Sequence, residues 1–237
     1  MEPPKKENYT GLIIIYGLLG SVMVALFLKY ITKNGNNTNP LKGKNEVDDF
    51  WYKTIYGVIA HEGGKSEFGG KGKKFTDLFG LDSGTVGICH FAASGLCSLY
   101  KNMDTQKYFN RSSSEMCDNW ANGNSGAYDQ EWWRKGMEEF VNNPDNEMIQ
   151  VNTCKKSRLS AIRRAKENGW TTDRQFAIAA GVSNSYGNGG FGKNAKRLNW
   201  DAEKVLEWYG NESAHQGRRK GLINKWFPQN KAKQINL

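Results

Sequence analysis

The sequence predicts a mainly helical α+β domain with a small β-hairpin, preceded by one transmembrane helix. Three observations support this. Residues 11–28 form an uncharged apolar run, and a helix of that length, about 27 Å, crosses most of a bilayer's hydrocarbon core. Apolar residues recur at helical spacing between residues 47 and 62. A turn sequence at 82–84 leads into residues 85–91, whose polarity alternates as in a strand.

The N-terminal residues divide by composition into a tail (1–10), the transmembrane helix (11–31) and a polar linker (32–46). No small-residue cleavage site follows the apolar run, so a retained anchor is favoured over a cleaved signal peptide. The Asn/Gly/Lys-rich linker predicts a flexible tether with a root-mean-square span of roughly 20 Å. More lysines follow the span than precede it. By the positive-inside rule this slightly favours placing the C-terminal domain on the inner side of the membrane.

The first helix of the domain ends in a glutamate that is a candidate general acid. Apolar residues from Val47 to Val58 mark one helix face. Glu62, four residues after Val58, continues that face, and Gly63 supplies a stop signal. A carboxylate there is partly desolvated and lies at the negative end of the helix dipole, and both effects raise its pKa. A raised pKa suits general acid catalysis near neutral pH. The alternative is a helix-end glutamate that turns to water.

The segment after this helix contains further candidate site residues. Glu62 and Gly63 are followed by carboxylates and then by the run Thr85-Val86-Gly87-Ile88-Cys89-His90. This arrangement resembles the phage-type lysozymes, a glycoside hydrolase family with the pattern Glu-Gly, a carboxylate, and Thr-x-Gly-x-Gly-His. Here a cysteine replaces the second glycine, and a Gly/Lys-rich insertion lengthens the Glu-to-Thr spacing. Asp82 is therefore the first choice for the second carboxylate, and Asp77 is the second choice.

Helices are also predicted between the hairpin and the C-terminal third of the chain. The predicted helical stretches are 92–100, 129–141 and a basic one at 154–167, whereas 101–127 is predicted to be irregular because it is polar and rich in Ser, Asn and Gly. The basic stretch is not accompanied by a recognised nucleic-acid-binding module, so nucleic acid is not expected as a partner. A solvated face, or attraction to anionic wall polymers, is the more economical interpretation.

The C-terminal third carries the second part of the resemblance. A nearly all-apolar helix begins at Asp173 and is expected to be buried. It breaks at Asn184-Ser185-Tyr186-Gly187, and further helices follow from Ala202 and from residue 217 to Trp226. This order is similar to the buried central helix, glycine-rich break and closing Arg-containing helix of the family. The resemblance covers about 47–91 and 170–227, and it assigns substrate binding or site support to His90, Asn184, Tyr186 and Gly187.

The resemblance implies a two-lobe lysozyme-like domain over 47–228, with a C-terminal tail at 229–237. It implies cleavage of the β-1,4-linked amino-sugar backbone of bacterial peptidoglycan. Glu62 would act as general acid, Asp82 would stabilise positive charge on the sugar, and Thr85 would position water, with inversion at the anomeric carbon. The protein would be a single-pass membrane protein of a bacteriophage virion or the host inner membrane, with its catalytic domain facing the cell wall.

Three alternatives stay open. A lytic transglycosylase would use Glu62 alone, a chitosanase-like enzyme would act on chitosan, and a decayed lysozyme fold would serve as an inactive wall-binding or structural virion protein.

Cysteine and charge content add two expectations. The four cysteines, Cys89, Cys97, Cys117 and Cys154, allow three disulfide connectivities, and the sequence does not choose among them. The cysteines show no Cys-x-x-Cys spacing and the chain has only three histidines, so neither a metal nor a cofactor is expected. The net charge of +9 suits attraction to anionic wall polymers.

Overall fold

The computed structural model describes residues 45–60, 86–92, 94–120 and 130–237. The described residues all belong to one compact unit, Leu41–Leu237. They are mainly helical, which confirms the predicted fold class at the level of a mainly α domain. None of the helices in these ranges combines the length and apolar character needed to cross a bilayer. The predicted span at 11–31 lies outside the described residues.

Nine α-helices form the described part of the chain. They are α1 (Glu46–Tyr52), α2 (Ser94–Tyr100), α3 (Thr105–Phe109), α4 (Ser113–Trp120), α5 (Glu131–Asn142), α6 (Glu147–Glu167), α7 (Asp173–Arg197), α8 (Ala202–Asn211) and α9 (Ala214–Trp226). Helix α1 continues directly into a π-helical stretch, Lys53–Ile59. Short 3₁₀ turns lie at Pro144–Asn146 and Gln229–Lys231.

The predicted first helix is confirmed as far as Ala60. Asn45 caps it, accepting a hydrogen bond of 2.8 Å from the backbone N–H of Asp48, as an N-cap side chain should. Its burial differs from the prediction. Val47, the first residue of the predicted apolar face, is 37% exposed, whereas all seven residues from 54 to 60 are buried. The helix is therefore enclosed on every side near its C-terminal end, and the prediction of a single buried face is wrong.

The close approach of α9 explains this enclosure. A Cβ at Gly57 would lie 2.7 Å from Nε1 of Trp226. Only glycine lets the indole ring come so near the helix backbone. The ring covers a face of the helix that the sequence pattern left open.

Helix α7 is the buried centre of the C-terminal part, as the sequence predicts. Phe176, Ile178 and Ala179 are fully buried. Thr172 and Gln175 form a capping box at its start, a motif that satisfies two of the N–H groups left free at a helix N-terminus. At Gly187 the backbone turns to φ 67° and ψ 171°, so the predicted break is confirmed.

Buried polar contacts join α7 to the two helices that follow it. The Arg174 guanidinium is 4% exposed and donates to both carboxylate oxygens of Glu203 at 2.7 Å. It also donates to the backbone oxygen of Phe227 at 2.6 Å. A bidentate pair of this kind fixes distance and orientation together, so α7, α8 and the end of α9 are held in one arrangement.

The middle of the chain is more ordered than predicted. Helices α3 and α4 lie within residues 101–127, where the sequence predicted irregular structure, so that prediction is wrong for 105–120. The Asp104 side chain caps α3, Phe109 and Met116 contribute to the core, and a disulfide between Cys97 and Cys117 joins α2 to α4. Residues 121–129 lie outside the described part.

The last residues, 229–237, pack back onto the start of α7. The backbone N–H of Ile235 donates to the oxygen of Thr171 at 3.1 Å, and Asp173 N–H donates to the oxygen of Lys233 at 2.8 Å. The C-terminal segment is thereby part of the folded unit.

Candidate active site

The predicted catalytic residues Glu62, Asp82 and Thr85, and the second-choice carboxylate Asp77, lie outside the described residues. The structure does describe the chain on both sides of them. The described part of the first helix reaches Ala60, two residues before Glu62 in sequence, and the described chain resumes at residue 86, directly after Thr85. The structure shows what surrounds these two points of the chain.

Residues 86–91 form a tight turn closed by an antiparallel bridge. Val86 and Phe91 exchange backbone hydrogen bonds of 2.9 and 2.8 Å, and His90 N–H donates to the oxygen of Gly87 at 3.1 Å. The prediction of a strand over 85–91 is thus wrong for 86–91. Gly87 has φ 71° and His90 has φ 50°. Such positive values end an extended strand and are uncommon for residues other than glycine.

Helix α6 packs against this turn. The buried Gln150 accepts a hydrogen bond of 3.1 Å from the Ile88 N–H, and Cys89 forms a disulfide with Cys154. A Cβ at Gly87 would lie 2.4 Å from Oε1 of Gln150. The glycine is therefore required for close packing as well as for its φ value.

Asn184 lies at the α7 break with its orientation fixed by Arg158. The Arg158 guanidinium donates to Oδ1 of Asn184 and to the backbone oxygen of Ser183 at 3.2 Å. Burial lowers the pKa of Arg158 to about 10, still far above neutrality. Because Oδ1 accepts from this cation, the Nδ2 group of Asn184 is the one oriented to donate to a ligand.

Tyr186 belongs to a half-buried aromatic group beside the break. Its ring centroid lies 5.3 Å from that of Trp208 and 6.1 Å from that of Tyr209. Burial, with smaller contributions from the charge and the hydrogen bond of Glu212, raises the pKa of Tyr186, so its hydroxyl stays a donor at neutral pH. A Cβ at Gly187 would meet nothing within 4 Å apart from its own chain neighbours.

A buried polar network that the sequence did not single out lies next to this group. The Arg219 side chain is 1% exposed, and its Nη1 lies 2.7 Å from Ser185 Oγ, 2.9 Å from the Tyr209 hydroxyl and 3.0 Å from the Gly181 oxygen. Burial lowers the pKa of Arg219 to about 9 and raises that of Tyr209. In the sequence, the sign of this network is an arginine in the closing helix. The burial of that arginine depends on α7 and α8.

Three distant segments meet at Gly181. A Cβ there would lie 3.2 Å from Ile223 Cδ1, 3.6 Å from Arg219 Cδ and 3.8 Å from Val58 Cγ1. Val58 precedes Glu62 by four residues. The end of the first helix therefore packs beside the Arg219 network and the α7 break.

No protein-family model, curated protein or solved structure matches this chain. Within residues 45–60, 86–92, 94–120 and 130–237, His, Cys, Asp and Glu form no group of three or more that could hold a metal ion. The functional argument accordingly depends on the chain's own residues and their contacts.

Proposed function

We propose that this chain is a membrane-anchored glycosidase that cleaves the β-1,4 bonds of peptidoglycan. The observation that carries the proposal is the meeting of the π-helical stretch, α7 and α9 at Gly181. The sequence resemblance resides in two segments about 80 residues apart, and the contacts of Gly181 with Val58 and Arg219 bring those segments together. A chance likeness of two separate motifs would not require such contact.

The chemistry assigned to the site is that of an inverting glycosidase. Glu62, protonated, gives its proton to the glycosidic oxygen as the bond to the anomeric carbon breaks. Asp82 stabilises the positive charge that develops on the sugar ring. As general base, it also takes a proton from the water that Thr85 positions for attack on the opposite face. Asn184 contributes a donor to the substrate, and Tyr186, whose hydroxyl is bonded to Glu212, supports the site.

The charge of the chain favours peptidoglycan over chitosan as substrate. A net charge of +9 attracts a wall polymer that carries carboxylates and repels the polycationic amines of chitosan. This electrostatic attraction acts on the encounter between protein and polymer, and it is screened by salt. It therefore favours one class of polymer but does not determine which bond is cleaved.

The test compares the full chain in non-ionic detergent with its Glu62→Gln variant on purified peptidoglycan. Glu131→Gln, at the exposed start of α5, is the matched control for loss of one carboxylate. Mass spectrometry should find reducing-end muropeptides with the parent and with the control, and none with Glu62→Gln. Asp82→Asn and Asp77→Asn then show which carboxylate assists, since only one of them should abolish turnover.

Other products would replace the proposal with an alternative. Anhydro-muropeptides would identify a lytic transglycosylase that uses Glu62 alone. Unchanged lysis by Glu62→Gln would refute the assigned acid, and no products from the parent would favour a wall-binding or structural protein.

A further inference from the structure

One face of α6 contacts both chain segments that lead to the proposed catalytic residues. Glu147 Oε1 accepts a hydrogen bond of 2.6 Å from the hydroxyl of Tyr56 in the first helix. Gln150 accepts from the turn at Ile88, and Cys154 is bonded to Cys89 of that turn. Positions 147, 150 and 154 are three and four residues apart, so they lie on the same side of the helix.

The first of these contacts fixes α6 relative to the helix that precedes Glu62. Tyr56 is 1% exposed and lies in the π-helical stretch Lys53–Ile59. Farther along α6, Lys155 Nζ lies 3.9 Å from Asp48 and 5.9 Å from the ring centre of Trp51. Side chains of α6 therefore contact both α1 and the π-helical stretch that continues it.

The other two contacts fix the turn that follows Thr85. Among the described residues, the backbone–backbone hydrogen bonds of the turn join residues 86–91 to one another. They do not link the turn to the rest of the domain. Gln150, 2% exposed, supplies a hydrogen bond to the turn, and the disulfide supplies a covalent link across 65 residues of sequence. A rigid helix that holds both segments sets the distance between them.

We propose that Gln150 and Cys154 are positioning residues that hold the turn at 86–91, which follows Thr85 in sequence, at a set distance from the π-helical stretch, which precedes Glu62 in sequence. This role rests on the proposed function. It also gives a physical reason for Cys89, which stands where the phage-type lysozymes have a glycine. The covalent bond restrains a turn that follows a long Gly/Lys-rich insertion, whose loop closure is entropically costly.

Three variants of the full chain test the proposal. Gln150→Met removes the acceptor at similar volume, and Gln150→Glu keeps an acceptor oxygen at the same position. Cys89→Ala combined with Cys154→Ala removes the covalent link. The matched control is Cys97→Ala with Cys117→Ala, which removes the other disulfide, between α2 and α4.

Two readouts are needed, and one of them is independent of activity. Hydrogen exchange of residues 86–92 reports whether the turn is held, and kcat and KM on soluble peptidoglycan fragments report its effect on the reaction. We expect Gln150→Met and the Cys89/Cys154 variant to exchange at least tenfold faster in the turn. Both should lose at least tenfold in kcat with KM changed less than threefold, because Asn184 still binds substrate and Tyr186 still supports the site. The Cys97/Cys117 control should keep the turn protection and the kcat of the parent.

The outcomes separate this proposal from the proposed function. Faster exchange with unchanged kcat, or unchanged exchange in both variants, overturns the positioning role while leaving a glycosidase in place. Partial recovery of kcat in Gln150→Glu relative to Gln150→Met supports the hydrogen bond as the cause. Absence of glycan cleavage by the parent overturns the proposed function, and the positioning role falls with it.

Discussion

Replacing Tyr209 with Phe removes one hydroxyl from the Arg219 network and leaves the buried ring in place. That hydroxyl lies 2.9 Å from Arg219 Nη1 and 2.9 Å from Ser185 Oγ. A hydrogen bond to a charged group is worth about 1.5–3 kcal/mol. Arg219 keeps the acceptors of Gly181 and Ser185, so the lower part of that range applies. We expect the free energy of unfolding to fall by about 1.5–2 kcal/mol, or about 3–8 °C in Tm for a domain of this size.

The assay is thermal unfolding of the full chain in non-ionic detergent, followed by far-ultraviolet circular dichroism. Ser185→Ala and the Tyr209→Phe/Ser185→Ala double variant complete a cycle, in which the shared contacts should give a coupling of at least about 0.5 kcal/mol. If the network supports the site as proposed, Tyr209→Phe should also reduce peptidoglycan cleavage. A loss of less than about 0.5 kcal/mol, the usual range of a neutral surface change, would refute the argument that Arg219 depends on this hydroxyl.

Three further predictions concern stability. Gly136→Ala should lower the unfolding free energy by about 1–3 kcal/mol, because its Cβ would lie 2.6 Å from a neighbouring backbone oxygen. Gly221→Ala, whose Cβ would meet nothing, should raise it by about 0.5–1 kcal/mol; urea titration checks both. Asp201→Ala should cost about 1 kcal/mol at pH 7, since Asp201 caps α8. The backbone N–H of Lys204, the largest cause, holds the pKa of Asp201 below its usual range. The stabilisation from the Asp201 cap is therefore complete above the pKa that Asp201 has in the unfolded chain. It is lost as the pH falls through the pKa of Asp201 in the folded protein, so the Tm values of parent and variant should converge at acid pH.

Helix α7 was predictable because its signals are local. Thr172 with Gln175 and the apolar run that follows define α7 without reference to any other segment. The enclosure of the first helix was not predictable, because it depends on Trp226 packing at Gly57. The sequence near residue 57 does not indicate that contact. Apolar residues that recur every 3.6 positions identify the buried side chains of a helix only if the helix is covered on one face.

The turn at 86–91 was misread for a related reason. Alternating polarity over six residues fits a strand, and it fits equally a turn whose residues are buried by a neighbouring helix. The contacts that decide between them come from Gln150 and Cys154, more than sixty residues later in the chain. Helices α3 and α4 were missed because Ser, Asn and Asp favour both loops and helix caps. Here Asp104 does cap α3.

If residues 11–31 anchor the chain as proposed, the disulfides bear on which side of the membrane the domain would occupy. Both pairings, Cys89–Cys154 and Cys97–Cys117, join separate elements of the domain, and structural disulfides persist in oxidising compartments. A loop of 65 residues gives such a bond about 4 kcal/mol of stabilisation in the chain-entropy account, a large share of a domain's marginal stability. The lysine excess after the apolar run points the other way, but it is slight. A stabilisation of this size outweighs a small charge bias, so we expect the domain to face the oxidising side, where a peptidoglycan substrate would lie.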